Sequence, residues 1–151
     1  QPLDLAELVQ KTVKGLQLLA EQKNISLDTN LEGPLEMLGD KAKLQQVITN
    51  LVDNAIKYTP EGGRVMVDVY RGKNEAVLKV SDTGIGIPAE DIPKIFDRFF
   101  RVDKARSRAT GGTGLGLSIA HRIILLHNGT VRVDSKEGKG TTFYVHFPLD
   151  S

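Results

Sequence analysis

The sequence predicts an α+β fold, a two-layer α/β sandwich in which helices cover one face of a mixed, mostly antiparallel sheet. Segments with alternating apolar residues come in adjacent pairs along the chain, and amphipathic helical segments separate these pairs. A doubly wound parallel sheet would instead place single strands between helices. With 151 residues, 40% of them hydrophobic and 26% charged, the chain has the size and composition of one folded domain.

The composition excludes several classes of function. Lys and Arg number 20 against 19 Asp and Glu, and this balance argues against a dedicated nucleic-acid binder. The absence of Cys excludes disulfides, thiolate zinc sites and cysteine nucleophiles. No apolar run has the roughly 20 residues of a membrane helix, and His121, His127 and His146 are predicted to be structural. Because the chain begins at Gln1, without a Met, we expect it to be part of a longer protein.

Two helices and two short strands are predicted in the first part of the chain. Asp4 is a candidate N-cap, and apolar residues recur after it at helical spacing. Residues 25–29 and 35–38 alternate as strands do. The second helix covers residues 40–58 and ends before Pro60, which cannot continue it.

The second part of the chain contains two strand pairs and two helices. The predicted elements are a hairpin of residues 64–71 and 76–80, a short helix over 88–96 with Pro88 in its first turn, a helix over 115–127, and a closing strand pair over 130–135 and 141–147. Between residues 96 and 115 the chain is basic and rich in Gly, without an apolar period. Loops of this length are typically functional or disordered.

The second helix carries a polar stripe beside its apolar one. Asn50, Asn54 and Lys57 are four and three residues apart, so their side chains are neighbours on one helix face. Amide oxygens suit Mg²⁺, and a Lys neutralises a neighbouring phosphate. The stripe therefore indicates a phosphate–metal site, with an ordinary amphipathic helix as the alternative.

Two glycine-rich motifs follow. Residues 82–86 read Asp-Thr-Gly-Ile-Gly at the end of a predicted strand, where the glycines permit a tight turn and the carboxylate could accept from a base amino group. An ordinary turn is the alternative. Residues 111–117 precede a helix, and free N–H groups at a helix N-terminus bind anions. Neither the Rossmann nor the Walker pattern fits residues 111–117, which therefore indicate another kind of phosphate loop.

These motifs, in this order, resemble the N, G1, F, G2 and G3 boxes of the ATP-binding catalytic domain of two-component sensor histidine kinases. The corresponding segments are residues 44–60, 82–86, 96–101, 112–116 and 137–141. Each motif is weak alone, but their order and spacing across the chain are specific. The resemblance implies the Bergerat fold, the binding of ATP or ADP, and Mg²⁺ as a cofactor.

The resemblance also implies roles for individual residues. Asn54 would hold Mg²⁺, Lys57 and Arg101 would reach the phosphates, Tyr58 would flank the adenine ring, and Asp82 would accept from its amino group. The implied nucleotide-binding residues are Asn50, Asn54, Lys57, Tyr58, Asp82, Gly84, Gly86, Ile87, Gly112, Thr113, Gly114, Leu115, Gly116, Leu117 and Thr142.

Asn50 separates the functions available within this superfamily. Its ATP-hydrolysing members and related serine kinases carry a Glu at this position as general base, which an amide cannot replace. We therefore expect a protein-histidine kinase whose catalytic residues are Asn50, Lys57 and Arg101. The alternatives are a Bergerat-type ATPase or serine kinase, and a docking module that does not use nucleotide.

The resemblance further implies one domain over residues 1–151 with specific partners. Residues 1–20 would join it to an upstream dimerisation and phosphoacceptor domain, and residues 96–113 would form the ATP lid. The expected partners are the histidine of that domain and the receiver domain of a response regulator, without nucleic acid or direct membrane contact. The expected location is cytoplasmic, as part of a membrane-anchored sensor.

Overall fold

The computed structural model describes residues 1–95 and 116–149, which form seven strands, three α-helices and one 3₁₀ helix. The strands are β1 (Pro2–Asp4), β2 (Ser26–Leu31), β3 (Glu36–Leu38), β4 (Arg64–Gly72), β5 (Glu75–Asp82), β6 (Thr130–Lys136) and β7 (Gly140–Pro148). The α-helices are α1 (Leu5–Gln22), α2 (Lys41–Lys57) and α3 (Gly116–Leu126), and the 3₁₀ helix covers Ala89–Lys94. No described helix is long and apolar enough to cross a membrane.

A five-stranded sheet in the order β2-β4-β5-β7-β6 forms one layer. Strand β2 runs parallel to β4, and the three other pairs are antiparallel. The β4–β5 pair is the predicted hairpin, and its turn contains Asn74 with φ 59°. The predicted mixed, mostly antiparallel sheet is confirmed.

The helices form the second layer. Helix α2 packs on β4 and β5, α1 lies beside it against β2, and α3 lies on its other side against β6. Alternate strand residues face this layer: Val65, Val67 and Val69 of β4 are at most 1% exposed, whereas Met66 between them is 38% exposed. The apolar residues of one sheet face and three helices thus make one core.

The helix ends follow the predicted signals. The Oδ1 atom of Asp4 accepts from the backbone N–H groups of Ala6 and Glu7, at 3.0 and 3.4 Å. The predicted N-cap Asp4 is thus confirmed, and Asp40, where the second helix was predicted to begin, caps α2 by accepting through Oδ1 from Lys43 N at 3.1 Å. Asn128, with φ 60°, ends α3 as the sequence indicates.

The structure differs from the prediction in two details. Strand β1, which is too short to detect by alternation, was not predicted; it pairs with β3, whereas β2 joins β4. The short helix is 3₁₀ and begins after Pro88 instead of including it, and Pro93 within it lacks the N–H that an α-helix would use. Its residue 96 lies outside the described residues.

Helix α1 is an integral part of the core. Leu5 and Val9 are fully buried, and Leu8 and Val13 are 3% and 2% exposed. Residues 1–20 therefore belong to the folded unit, whatever they join. Their role as a junction to an upstream domain stays a prediction.

Candidate functional site

Asp82 and the turn of residues 83–87 lie where β5 ends, and together they are called the acidic corner. The half-buried side chain of Asp82 accepts through Oδ1 from Gly84 N at 2.8 Å and from Thr141 N on β7 at 3.2 Å. Burial raises the pKa of Asp82 to about 6, because desolvation disfavours the charged form more than these two backbone N–H groups favour it. Among the described residues, the two hydrogen-bond donors to this carboxylate both contact Oδ1. The other oxygen, Oδ2, is therefore the one that a ligand could contact.

The turn after Asp82 depends on its two glycines. A Cβ on Gly84 would collide with the carbonyl oxygen of Tyr58, and one on Gly86 would collide with the carbonyl oxygen of Lys136. Gly86 also has φ +74°, which residues with a side chain rarely adopt. The glycines therefore bring this turn into close contact with α2 on one side and with the β6–β7 turn on the other.

Two hydroxyl groups on β6 and β7 also contact the acidic corner or each other. Ser135 Oγ on β6 accepts from Ile87 N at 2.7 Å and lies 2.8 Å from Thr141 Oγ1. Gly138 N in the β6–β7 turn donates to Ile85 O at 2.7 Å. Hydrogen bonds from β6, β7 and the turn between them thus hold the segment that contains the predicted site residues Asp82, Gly84, Gly86 and Ile87.

The polar stripe of α2 lies as predicted at the edge of the core. Asn50, Asn54 and Lys57 are all half-buried. Lys57 Nζ lies 3.1 Å from Asp53 Oδ2, and the two side chains are 32% and 31% exposed. Asn50 Nδ2 donates to Gly116 O at 3.1 Å, so this residue ties α2 to the start of α3.

The acidic corner and the polar stripe meet at the C-terminal end of α2. Ile85 N donates to Tyr58 O at 3.1 Å, directly after the last helical residue, Lys57. This contact places the Asp82 turn next to the helix turn that carries Lys57 and Tyr58. The structure therefore assembles one site from two motifs that lie far apart in the sequence.

Some predicted residues lie elsewhere. Arg101, Gly112, Thr113, Gly114, Leu115 and the proposed lid over 96–113 are outside the described residues. Gly116 and Leu117 open α3 beside Asn50. Thr142 lies on the sheet face opposite Asp82, since its neighbours Thr141 and Phe143 point into the core and its Oγ1 lies 3.4 Å from Ser81 Oγ.

The structure adds Thr141 and Ser135 to the site. Thr141 is opposite Asp82 in the β5–β7 register and is 7% exposed, and Ser135 is opposite Thr141 in the β6–β7 register. The alternation of β7 could have identified Thr141, because residue 141 is in phase with the apolar Phe143 and Val145.

Comparison with known proteins identifies the class. The family described as "Histidine kinase-, DNA gyrase B-, and HSP90-like ATPase" matches residues 39–151, which include every described part of the site. The chain therefore belongs to this family of ATP-binding domains.

Similar proteins narrow the class further. The sensor-like histidine kinase SenX3 of Mycolicibacterium smegmatis is 42% identical over 146 residues, which are 97% of this chain and 38% of SenX3. Sensor histidine kinase WalK of Bacillus subtilis is 50% identical over 111 residues, 72% of this chain and 18% of WalK. This chain is thus similar to a part of these longer kinases.

Solved structures agree. The mycobacterial sensor histidine kinase MprB is 32% identical and superposes with a TM-score of 0.87, covering 98% of this chain and 97% of that one. Full-length ShkA in complex with AMPPNP is 28% identical with a TM-score of 0.84, covering 100% of this chain and 32% of ShkA. Within the family, the chain is an ATP-binding catalytic domain of the sensor histidine kinase type.

Proposed function

We propose that this domain binds Mg·ATP and donates the γ-phosphate to a histidine on a separate phosphoacceptor domain in two-component signalling. The observation that carries the proposal is the junction of the acidic corner with the end of α2, through Ile85 N and Tyr58 O. This contact places an acceptor for the base, Asp82, and a cation for the phosphates, Lys57, within a single site. ShkA, which has the same fold, was solved with AMPPNP, a triphosphate analogue of ATP.

Asp82 is the proposed adenine-recognition residue. Its Oδ1 is occupied by two backbone donors, so the carboxylate has one orientation and can present Oδ2 to an exocyclic amino group. Gly84 and Gly86 let the turn pack closely against the carbonyl oxygens of Tyr58 and Lys136, which fixes the position of Asp82 relative to the end of α2. The backbone bonds fix this arrangement before the nucleotide arrives, which lowers the ordering cost of binding.

Lys57 and the two asparagines are the proposed phosphate side. Asn54 fits a Mg²⁺ ligand by its amide oxygen, and no cluster of three or more His, Cys, Asp or Glu able to hold a metal occurs among the described residues. A single amide oxygen suits Mg²⁺ that takes most of its ligands from phosphates and water. When bound, the ion would neutralise phosphate charge, and Lys57 would do the same from the helix.

Asn50 favours transfer to histidine over hydrolysis. Its amide donates to Gly116 O and cannot take up a proton at neutral pH. A neutral imidazole needs no base, because its unprotonated nitrogen attacks the γ-phosphorus while the bond to the bridging oxygen breaks and ADP leaves. The domain then contributes positioning and charge neutralisation, with Arg101 as a further predicted contact.

The partners belong to the same proposal. The chain spans 38% of SenX3 and 18% of WalK, so the phosphoacceptor domain would lie elsewhere in the longer protein, and a response-regulator receiver domain would take the phosphate next. We place the domain in the cytoplasmic part of a membrane-anchored sensor, without nucleic acid as a partner.

A reconstituted transfer assay tests the proposal. The chain is mixed with radiolabelled ATP, Mg²⁺ and a histidine-containing dimerisation domain from a related sensor kinase such as SenX3. We expect label on that domain in an acid-labile, alkali-stable form, which is typical of phosphohistidine. Asn54→Ala should remove the Mg²⁺-dependent part of ATP binding and the transfer.

Two results would contradict the proposal. Rapid release of inorganic phosphate by the chain alone would favour an ATPase, and absence of ATP binding would favour a docking module. Lys43→Met is the matched control, because Lys43 is an exposed residue at the opposite end of α2 and should leave transfer unchanged.

A further inference from the structure

A lysine from α1 contacts the C-terminal end of α2 directly behind the proposed phosphate side. Lys23 follows the last residue of α1 and is its C-cap. Its Nζ donates to Ile56 O at 3.0 Å and to Lys57 O at 2.7 Å, across more than 30 positions of the sequence. Both bonds are partly buried.

These bonds act on carbonyls at the end of the helix, of which that of Ile56 also accepts from Thr59 N at 3.3 Å. The last carbonyls of an α-helix have no partner within it and carry the negative end of the helix dipole. An ammonium there forms charge-assisted bonds with the carbonyls of residues 56 and 57, and the next carbonyl, of Tyr58, accepts from Ile85 N. Three consecutive carbonyls are therefore held by two other segments of the chain.

We propose that Lys23 is a positioning residue for nucleotide binding, which holds the last turn of α2 so that Lys57 faces the phosphates, while Ile85 N holds the carbonyl of Tyr58 independently. The inference rests on the proposed function, since it assigns the ligand contacts to that turn. Lys23 itself contacts the helix and not the nucleotide. Its effect should therefore appear mainly on the phosphate side, where Lys57 must reach an anion.

Neighbouring bonds keep the two segments together without the ammonium. Asn24 Nδ2 donates to Glu61 Oε1 at 2.9 Å, Gly62 N donates to Asn24 O at 3.0 Å, and Ser26 N donates to Gly63 O at 3.1 Å. The turn after α1 thus stays attached to the turn after α2 when Lys23 changes. A substitution at Lys23 should consequently alter the orientation of the helix end more than the fold.

Calorimetric binding of Mg·ATP and of adenosine to the chain tests the inference. Lys23→Met keeps most of the unbranched side chain and removes its charge and its donors, and we expect the Kd for ATP to rise about three- to tenfold, since bonds to charged groups are stronger than neutral ones. The Kd for adenosine should change less than about twofold. Lys23→Arg, which can still donate to both carbonyls, should restore most of the ATP affinity.

Two control variants separate positioning from stability. Lys43→Met makes the same chemical change at the exposed start of α2 and should bind both ligands as the unmodified chain does. Val13→Ala removes buried volume from α1, away from Lys23, and should lower the melting temperature at least as much as Lys23→Met. Its ATP affinity, measured well below that temperature, should be unchanged.

The outcomes are distinct. An unchanged ATP Kd in Lys23→Met, with normal binding by the unmodified chain, overturns this inference alone. An equal loss in Lys23→Met and Val13→Ala, or an equal loss for ATP and adenosine, also overturns it, because both results indicate a merely structural role. Absence of ATP binding by the unmodified chain overturns the proposed function and this inference with it.

Discussion

The two halves of the site are held by different means. Around Asp82, the backbone determines the geometry: N–H groups of Gly84 and Thr141 bind its carboxylate, and Gly86 packs against Lys136. On α2, the side chains of Lys57 and Asp53 are 32% and 31% exposed, and side-chain rotation can break the contact that pairs them. One half is built into the sheet, and the other stands on the surface of a helix.

This difference corresponds to two kinds of ligand chemistry. A nucleobase is rigid and presents a fixed pattern of donors, so a preformed acceptor recognises it well. A triphosphate with its Mg²⁺ is flexible and highly charged, and long side chains can follow it. We therefore expect changes at the acidic corner to affect fold and binding together, and changes at the helix stripe to affect binding alone.

The largest effect should follow the substitution Gly86→Ala. The new Cβ would meet the Lys136 carbonyl, and the positive φ adds strain, so the free energy of unfolding should fall by about 2–5 kcal/mol. Denaturant titration measures the loss of stability. Calorimetry should show that ATP binding is lost.

Gly138→Ala is the matched control for this substitution. Gly138 also has positive φ, +83°, but a Cβ there would meet nothing within 4 Å. It should cost only the strain, about 1–2 kcal/mol. Equal losses in the two variants would mean that the close contact of Gly86 with Lys136 contributes nothing.

An intermediate effect, with opposite signs for stability and binding, is expected at Asp82. Its pKa in the folded chain, about 6, lies above the ordinary 3.8, so its favourable contribution is complete below pH 3.8 and is lost as the pH rises through about 6. At pH 7.5 the buried charge is a cost, and Asp82→Asn should stabilise the nucleotide-free chain by about 1–3 kcal/mol. At pH 4 it should not.

The affinity for ATP should depend on pH in the opposite direction to stability. The ionised carboxylate is the proposed acceptor for adenine, so ATP affinity should weaken as the pH falls through about 6, and Asp82→Asn should weaken it about ten- to a hundredfold at pH 7.5. Thermal melts and calorimetry between pH 4.5 and 8 measure both trends. A stability profile of the variant that parallels the unmodified chain would contradict the role of burial.

The smallest effect on stability should come from Lys57→Met. The half-buried i,i+4 pair with Asp53 contributes about 0.3–0.5 kcal/mol, so the free energy of unfolding should hardly change. The Kd for ATP should rise about tenfold while that for adenosine stays constant. Asp53→Asn, which releases the lysine from its partner, should improve ATP affinity up to about twofold. A loss of adenosine affinity in Lys57→Met would contradict the division of the site into two halves.

Much of this could be predicted from local patterns. Period-two alternation identified β4 and β5, helical spacing placed Asn50, Asn54 and Lys57 on one stripe, and capping residues marked the helix starts. The position of Asp82 at a strand end followed from the hairpin alone. These features depend on residues close in sequence, so short-range rules are sufficient.

Long-range pairing was harder to predict. Nothing near residue 26 indicates that β2 joins β4 in parallel, and nothing near Lys23 indicates the carbonyls of residues 56 and 57. Thr142 stays a prediction, but the register places Thr141 opposite Asp82, and one position along a strand reverses the face. Such contacts become visible when the register of distant strands is known.

The position of β7 in the sheet has a consequence for the time at which the site is completed during synthesis. This strand lies between β5 and β6, its Phe143, Val145 and Phe147 are at most 1% exposed, and it follows every other described element in the chain. Ribosomes synthesise the chain from its N-terminus, so β5 leaves the exit tunnel long before its neighbour β7 does. Until residue 141 emerges, Asp82 has only the first of its two backbone donors, Gly84 N, and the edge of β5 that pairs with β7 is open. A partly synthesised domain should therefore be unable to hold nucleotide and be prone to aggregation.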